Sequence, residues 1–183
     1  MRITGGEAKG VPIKAPKGRR TRPTSDKVRE GVFQTLGDIV VGARVLDLFA
    51  GSGALGIEAL SRGADFCCFV EKSRMAVEVI SANLQKTHFH EKAETIRSDF
   101  LTALKILHRR GELFHLILTD PPYEGDFLEQ VVASLVATPV LAPGAVVVVE
   151  HFKKTLPPAH IGGLPQKKTR LYGQTSITYY YGD

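Results

Sequence analysis

The sequence predicts one α/β domain: a mainly parallel seven-stranded sheet wrapped by helices and ending in an antiparallel strand, with a small β-hairpin at the N-terminus. Three observations carry this. From Arg44 to Glu150, short apolar runs rich in Val, Ile and Phe alternate with stretches of helical periodicity. The first run opens directly into a glycine-rich turn, Gly51-Ser52-Gly53. The last two runs are separated only by Gly173-Gln174, too short for the crossover that parallel neighbours need.

The elements follow in order. Arg2 to Thr4 and Val11 to Ala15, around Gly5-Gly6 and Lys9-Gly10, form the hairpin, and the loop Pro16 to Pro23 follows. Thr24 or Ser25 caps a helix with Val28, Val32, Phe33 and Leu36 on one stripe, ending near Gly37. Strands fall at Val45 to Phe49, Phe66 to Val70, Glu94 to Arg97, Phe114 to Thr119 and Ala145 to Glu150, with helices starting near Gly53, Ser73, Phe100 and Phe127. The closing hairpin is Lys167 to Tyr172 with Ser176 to Tyr181. Two units result: a basic arm, residues 1–22, and the sheet domain, residues 23–183.

Composition excludes several classes. The stretch from Val131 to Val149 has no charged residue, but Pro139, Pro143 and Gly144 would break a membrane helix there, so it reads as helix end, loop and strand. The first ten residues have no signal-peptide core, which points to the cytoplasm. Cys67 and Cys68, adjacent on a strand, point to opposite faces as buried thiols. The six histidines show no metal-ligand spacing, so no metal is expected. Asn83, inside a helical pattern, is expected to face solvent.

Charge is located rather than diffuse. Residues 1–22 hold Arg2, Lys9, Lys14, Lys17, Arg19, Arg20 and Arg22 against Glu7 alone, a net +6 in a chain whose total is +5. The remainder is therefore nearly neutral. A concentrated basic segment beside a neutral domain is the footprint of a phosphate-backbone contact.

The first chemical motif runs from Asp47 to Gly56, off a strand end into a helix. Its glycines allow a tight turn and close approach of backbone to ligand. Gly51-x-Gly53-x-x-Gly56 also fits a dinucleotide fingerprint, so the glycines alone do not separate a nicotinamide enzyme from a methyltransferase. Asp47 favours the cationic methionine end of S-adenosylmethionine, where a pyrophosphate would be repelled. Glu71, closing the second strand, is placed for ribose hydroxyls in either cofactor. Asp99, closing the third, either reaches an adenine amine or caps the next helix.

The second motif is Asp120-Pro121-Pro122-Tyr123, after the fourth core strand. The prolines fix the turn so that the Asp120 carboxylate and a proline carbonyl face one amino group, while the Tyr123 ring offers a flat surface to a base. An exocyclic amine of guanine or adenine has its lone pair delocalised into the ring. Accepting hydrogen bonds from its N–H groups steers that lone pair toward an electrophilic methyl.

With these residues stand Met1-Arg2-Ile3, Gly5-Gly6, Thr21 to Thr24, Arg29-Glu30, Glu58 to Ala64 and Tyr172-Gly173. Together they resemble the bacterial 16S rRNA (guanine-N2)-methyltransferase family of the guanine-966 type, over essentially the whole chain. The resemblance implies a class I, Rossmann-like S-adenosylmethionine-dependent methyltransferase that acts as a monomer on N2 of one guanine in 16S rRNA, on 30S subunits or late assembly intermediates. It implies Asp47, Gly51 and Gly53 at the methionine end, Glu71 at the ribose, Asp99 near the adenine, and Asp120, Pro121 and Tyr123 as the catalytic set. Arg22 and Thr24 would close over the cofactor, while Arg2, Lys9, Lys17, Arg19 and Arg20 would contact RNA. One departure is Gly31, in a helix position where a better helix former is usual, at a cost of ~1 kcal/mol. Other readings are adenine N6, tRNA guanine N2 or a protein amide as acceptor, a nicotinamide oxidoreductase, and a catalytically silent assembly factor. The absence of a separate base-recognition domain, the basic arm and the Asp120 motif weigh against them in turn.

Overall fold

The computed structural model describes residues 1–16, 25–122 and 126–182. Five strands run parallel in its sheet: β1 (Arg44–Leu48), β2 (Phe66–Val70), β3 (Ala93–Ile96), β4 (Phe114–Thr119) and β5 (Leu141–Phe152). Three more, β6 (His160–Ile161), β7 (Leu164–Tyr172) and β8 (Thr175–Tyr180), complete the order β3-β2-β1-β4-β5-β8-β7-β6. The chain reverses direction across the sheet between β1 and β4, and ligands of such folds bind at the carboxyl edge of that switch point. The last three strands pair antiparallel, as the short Gly173-Gln174 link requires. The two-residue β6, after Pro157-Pro158, is one strand more than expected.

Helices α1 (Asp26–Leu36), α2 (Ala54–Ser61), α3 (Arg74–Thr87), α4 (Phe100–Arg109) and α5 (Phe127–Ala137) cover the sheet. Ser25 caps α1 by accepting from Val28 N–H, and Ser73 and Asp99 do the same for α3 and α4. One core layer gathers Val32, Phe33, Ile57, Cys67, Phe69 and Ile80; the other gathers Leu48, Cys68, Leu104, Ile117 and Leu135. Adjacent cysteines thus feed opposite layers, both as free thiols whose ionisation burial opposes. Among the described residues no helix is long and apolar enough to cross a membrane.

The N-terminal hairpin rests on one antiparallel bridge, Arg2 with Pro12, and on the bonds Ile3 N–H to Val11 O and Ile13 N–H to Met1 O. Pro12 has no N–H to extend the ladder. Instead of joining the sheet, the hairpin is held by its own buried Ile3, Ala8 and Ile13 and by a polar socket on α2. Glu58 accepts from Thr4 and Gly5 N–H, and Ser61 accepts from Ala8 N–H and donates to Gly5 O. A Cβ on Gly6 would sit 1.7 Å from Ser61 O, so the Gly5-Gly6 pair and the Glu58 to Arg62 segment fit each other.

Gly31 has a packing reason. A Cβ there would lie 2.3 Å from the Tyr172 hydroxyl, so this glycine makes room for the end of β7 against α1.

Candidate active site at the carboxyl edge of the sheet

Register places the candidate residues on one row. Leu48 pairs with Val70 and with Thr119, and Thr119 pairs with Val149. The next residue on each strand, Phe49, Glu71, Asp120 and Glu150, therefore stands at the same height along the carboxyl edge. Asp99 caps α4 beyond the end of β3.

The glycine turn is fixed from below by carboxylates. Asp47 is 1 % exposed and accepts from Gly56 N–H at 2.9 Å, tying the strand to the first turns of α2. Burial pushes its carboxyl up to about 7; the Gly56 bond opposes this, and the negative charge of Glu71 adds to it. Glu71, also buried, accepts from Gly51 N–H at 2.9 Å with one oxygen and from Ser73 N–H at 2.8 Å with the other. Gly51 and Gly53 have φ of 60° and 77°, conformations that L side chains rarely adopt. Gly56 serves contact instead, since a Cβ there would lie 2.3 Å from the Phe69 ring. Phe49 itself has φ 62°, a strained value for a bulky residue, and its ring is held against Phe100 at 5.1 Å and Phe127 at 6.4 Å between centroids.

Asp99 accepts from Thr102 N–H at 2.9 Å, and hydrogen bonds from Thr102 hold its carboxyl below the ordinary range. Of the two uses weighed from sequence, the helix cap is the one made, and the side chain is exposed. Asp120 is half-buried at the end of β4 and Pro121 behind it is buried. Tyr123, Arg22, Thr24, Lys17, Arg19 and Arg20 lie outside the described residues. Arg2 and Lys9 sit on the N-terminal hairpin, where Arg2 donates to Gly10 O and Lys9 is exposed.

The edge thus presents acceptors: Asp47 beneath the turn, then Glu71, Asp99 and Asp120 on successive strand ends. S-adenosylmethionine offers the matching set of cationic sulfonium, ammonium, ribose hydroxyls and adenine amine, whereas a pyrophosphate would meet only like charge. Among the described residues no three His, Cys, Asp or Glu side chains gather as a metal site.

Sequence reasoning misplaced one residue here. Asn83 does not face solvent; it is 1 % exposed and links two regions. Its amide donates to Ser52 O in the glycine turn and to Lys14 O, each at 2.9 Å, and its carbonyl accepts from Lys14 N–H at 2.9 Å. The signal was available, because Ala76, Ile80, Asn83, Leu84 and Thr87 share one buried stripe of α3. Glu150 was also missed as a site-edge residue. It is buried at the height of Asp120, and with Thr119 it lines a cavity of about 10 Å³, where the Thr119 hydroxyl has no hydrogen-bond partner among the described residues.

Comparison with known proteins bears on this geometry. The family described as conserved hypothetical protein 95 matches residues 1–181. The putative rRNA methyltransferase YlbH of Bacillus subtilis is 37% identical over 98% of both chains. The ribosomal RNA small subunit methyltransferase D of Escherichia coli is 32% identical over 98% of this chain and 89% of its own. A solved structure, the putative methyltransferase yhhF from Escherichia coli, superposes with a TM-score of 0.85 at 32% identity, over 100% of this chain and 98% of that one. The fold is thus the Rossmann-like fold of S-adenosylmethionine-dependent methyltransferases. The chain belongs to the conserved hypothetical protein 95 family, together with the small-subunit ribosomal RNA methyltransferases that share its full length.

Proposed function

We propose that this chain transfers a methyl group from S-adenosylmethionine to the exocyclic N2 amine of a guanine of the 966 type in 16S rRNA, on 30S subunits or late assembly intermediates. The observation that carries the reading is the shared height of Asp120, Glu71 and the glycine turn at the switch point, which puts an amine acceptor beside a site of matching cofactor chemistry. The full-length likeness to a small-subunit rRNA methyltransferase supports the substrate class, and the basic N-terminal segment supports RNA as partner.

The cofactor supplies a methyl group made electrophilic by its sulfonium. This chain does the rest. Gly51 and Gly53 let backbone approach the methionine end, with the buried Asp47 carboxyl beneath. Glu71 is held by Gly51 and Ser73 in position for the ribose, and Asp99 stands at the adenine end. Asp120 and the Pro121 carbonyl accept the two amine hydrogens, orienting the nitrogen lone pair, and Tyr123 stacks on the base. Once methylated, the amine would carry one proton too many, and Asp120 or water would receive it. Arg22 and Thr24 close over the cofactor, and Arg2, Lys9, Lys17, Arg19 and Arg20 engage the phosphate backbone.

The test is transfer of labelled methyl to 30S particles from cells lacking the cognate enzyme, with mass mapping of the product. One N2-methylguanosine in 16S rRNA is expected; labelling of another base, or none with cofactor binding intact, refutes the assignment. Asp120→Ala is expected to abolish turnover while cofactor affinity stays within several-fold, and unchanged turnover would remove Asp120 from the mechanism.

A further inference from the structure

The near-neutral charge of the chain beyond its basic arm conceals two opposite parts. Residues 23–150 sum to −5, whereas residues 151–182 hold Lys153, Lys154, Lys167, Lys168 and Arg170 and no acid at all. In the structure these five side chains are exposed on the turn after β5 and along β7. Arg29, Arg44, Arg62, Arg74 and Arg110 each pair with a carboxylate. Lys153, Lys154, Lys168 and Arg170 make no ion pair among the described residues. Lacking an ion pair does not by itself set them apart, since Lys27, Lys72, Lys86, Lys92, Arg97, Lys105 and Arg109 also make none among the described residues; the absence of any acid from their segment does.

Topology brings this surface to the proposed site. Phe152 pairs with Thr175, and Thr175 pairs with Tyr172, so the end of β5, the β7–β8 turn and the Lys153-Lys154 turn share the carboxyl edge on which Asp120 stands. Lys153 N–H donates to Gln174 O at 2.9 Å, closing the two turns together. Lys168 pairs with Tyr179 and Arg170 with Ile177, residues whose side chains enter the α1 and α2 core layer. Lys168 and Arg170 therefore face the same side of the sheet, about 7 Å apart along the strand. On that side Tyr172 packs against α1 at Gly31, and the first turn of α1 holds the Arg2 N–H through Asp26. The cationic strand and the basic N-terminal hairpin thus flank one helix.

Edge protection explains part of this pattern, since lysines on an exposed strand discourage pairing with other chains. It does not explain Lys153 and Lys154, which lie on a turn, or the exclusion of acids from 32 consecutive residues.

We infer that β7 and the Lys153-Lys154 turn form a second phosphate-contact surface, which holds the RNA backbone across α1 from the N-terminal hairpin. The inference rests on the proposed RNA substrate.

The experiment measures binding of the full-length protein to unmodified 30S particles across a salt series, with methyl-transfer kinetics and cofactor affinity alongside. Lys168→Gln/Arg170→Gln is expected to flatten the slope of log affinity against log salt by roughly 1.4 to 1.8. It should also raise KM for the particle by about tenfold, with kcat and cofactor affinity unchanged. Lys153→Gln/Lys154→Gln, on a separate turn, should shift both in the same direction. Lys168→Arg/Arg170→Lys should restore the wild-type slope, and Arg74→Gln on α3 should leave it unaltered. Wild-type slope and KM in both Gln pairs, with the parent protein active on the particle, would overturn the surface alone. A parent protein that neither binds nor methylates rRNA would overturn the substrate reading and this inference with it.

Discussion

Glu58 and Asp47 are both buried carboxylates attached to the same short helix, and they are satisfied in opposite ways. Glu58 accepts from Thr4 N–H and hydroxyl, Gly5 N–H and the guanidinium groups of Arg29 and Arg62. Arg29, itself fully buried, is completed by Asp26 and the carbonyl of Arg2. Asp47 receives the Gly56 N–H, has the negative charge of Glu71 nearby, and its carboxyl is pushed up to about 7. A buried ion with a full set of partners is part of the architecture. One whose charge is opposed by its surroundings waits for a cation from outside. By this criterion Glu58 holds the N-terminal hairpin, and Asp47 is the carboxyl that the proposed cofactor's cation would meet.

The largest expected effect breaks the saturated member. Glu58→Ala leaves Arg29 buried without its main counter-ion and should cost about 3–5 kcal/mol in urea denaturation. A loss below about 1 kcal/mol would mean that the hairpin is held by apolar contacts alone.

Asp47→Asn sharpens the other side. Because the folded-state value of Asp47 lies above its unfolded value, its contribution to stability is present below about pH 4 and is lost as pH rises toward 7. Between pH 4 and 8 the cofactor-free wild type should lose on the order of 3 kcal/mol relative to Asp47→Asn. Cofactor affinity should run the other way, rising in the wild type as pH passes 7 and staying flat in the variant. Parallel stability profiles for the two proteins would show that Asp47 ionises like an ordinary carboxylate.

Asn83 joins the two regions, since it bonds Lys14 in the N-terminal segment and Ser52 in the glycine turn. Asn83→Ala should cost about 2–3 kcal/mol and weaken cofactor binding. Asn83→Asp should be worse than Ala, because it sets a carboxylate against the carbonyls of both Lys14 and Ser52. A stability loss without any change in cofactor affinity would separate the two regions.

The parallel order and the glycine turn were legible in the sequence because each depends on local chemistry: residue periodicity and positive-φ glycines. The Glu58 socket was visible only as a run of residues shared with relatives, because its partners on the N-terminal hairpin lie more than 50 residues away. Asn83 was misplaced by the rule that polar side chains face solvent; its two backbone partners, 31 and 69 residues distant, are what burial required. The C-terminal cations were lost in a net charge that summed them with the acids of the preceding strands.

Gly31 gives the smallest effect and the most direct test of how the C-terminal hairpin is seated. By helix propensity alone, Gly31→Ala should stabilise α1 by about 1 kcal/mol. In the folded protein the new Cβ would meet the Tyr172 hydroxyl and ring, 2.3 and 2.9 Å away, and α1 and β7 would have to separate or the ring swing out. The substitution is therefore expected to destabilise the wild type by roughly 1 kcal/mol and to stabilise a Tyr172→Ala background by a similar amount. This reversal of sign in a double-mutant cycle would measure the contact that docks the β7–β8 hairpin on α1. If Gly31→Ala stabilises both backgrounds equally, Tyr172 does not press on the helix, and the cationic strand is free to move relative to the N-terminal hairpin.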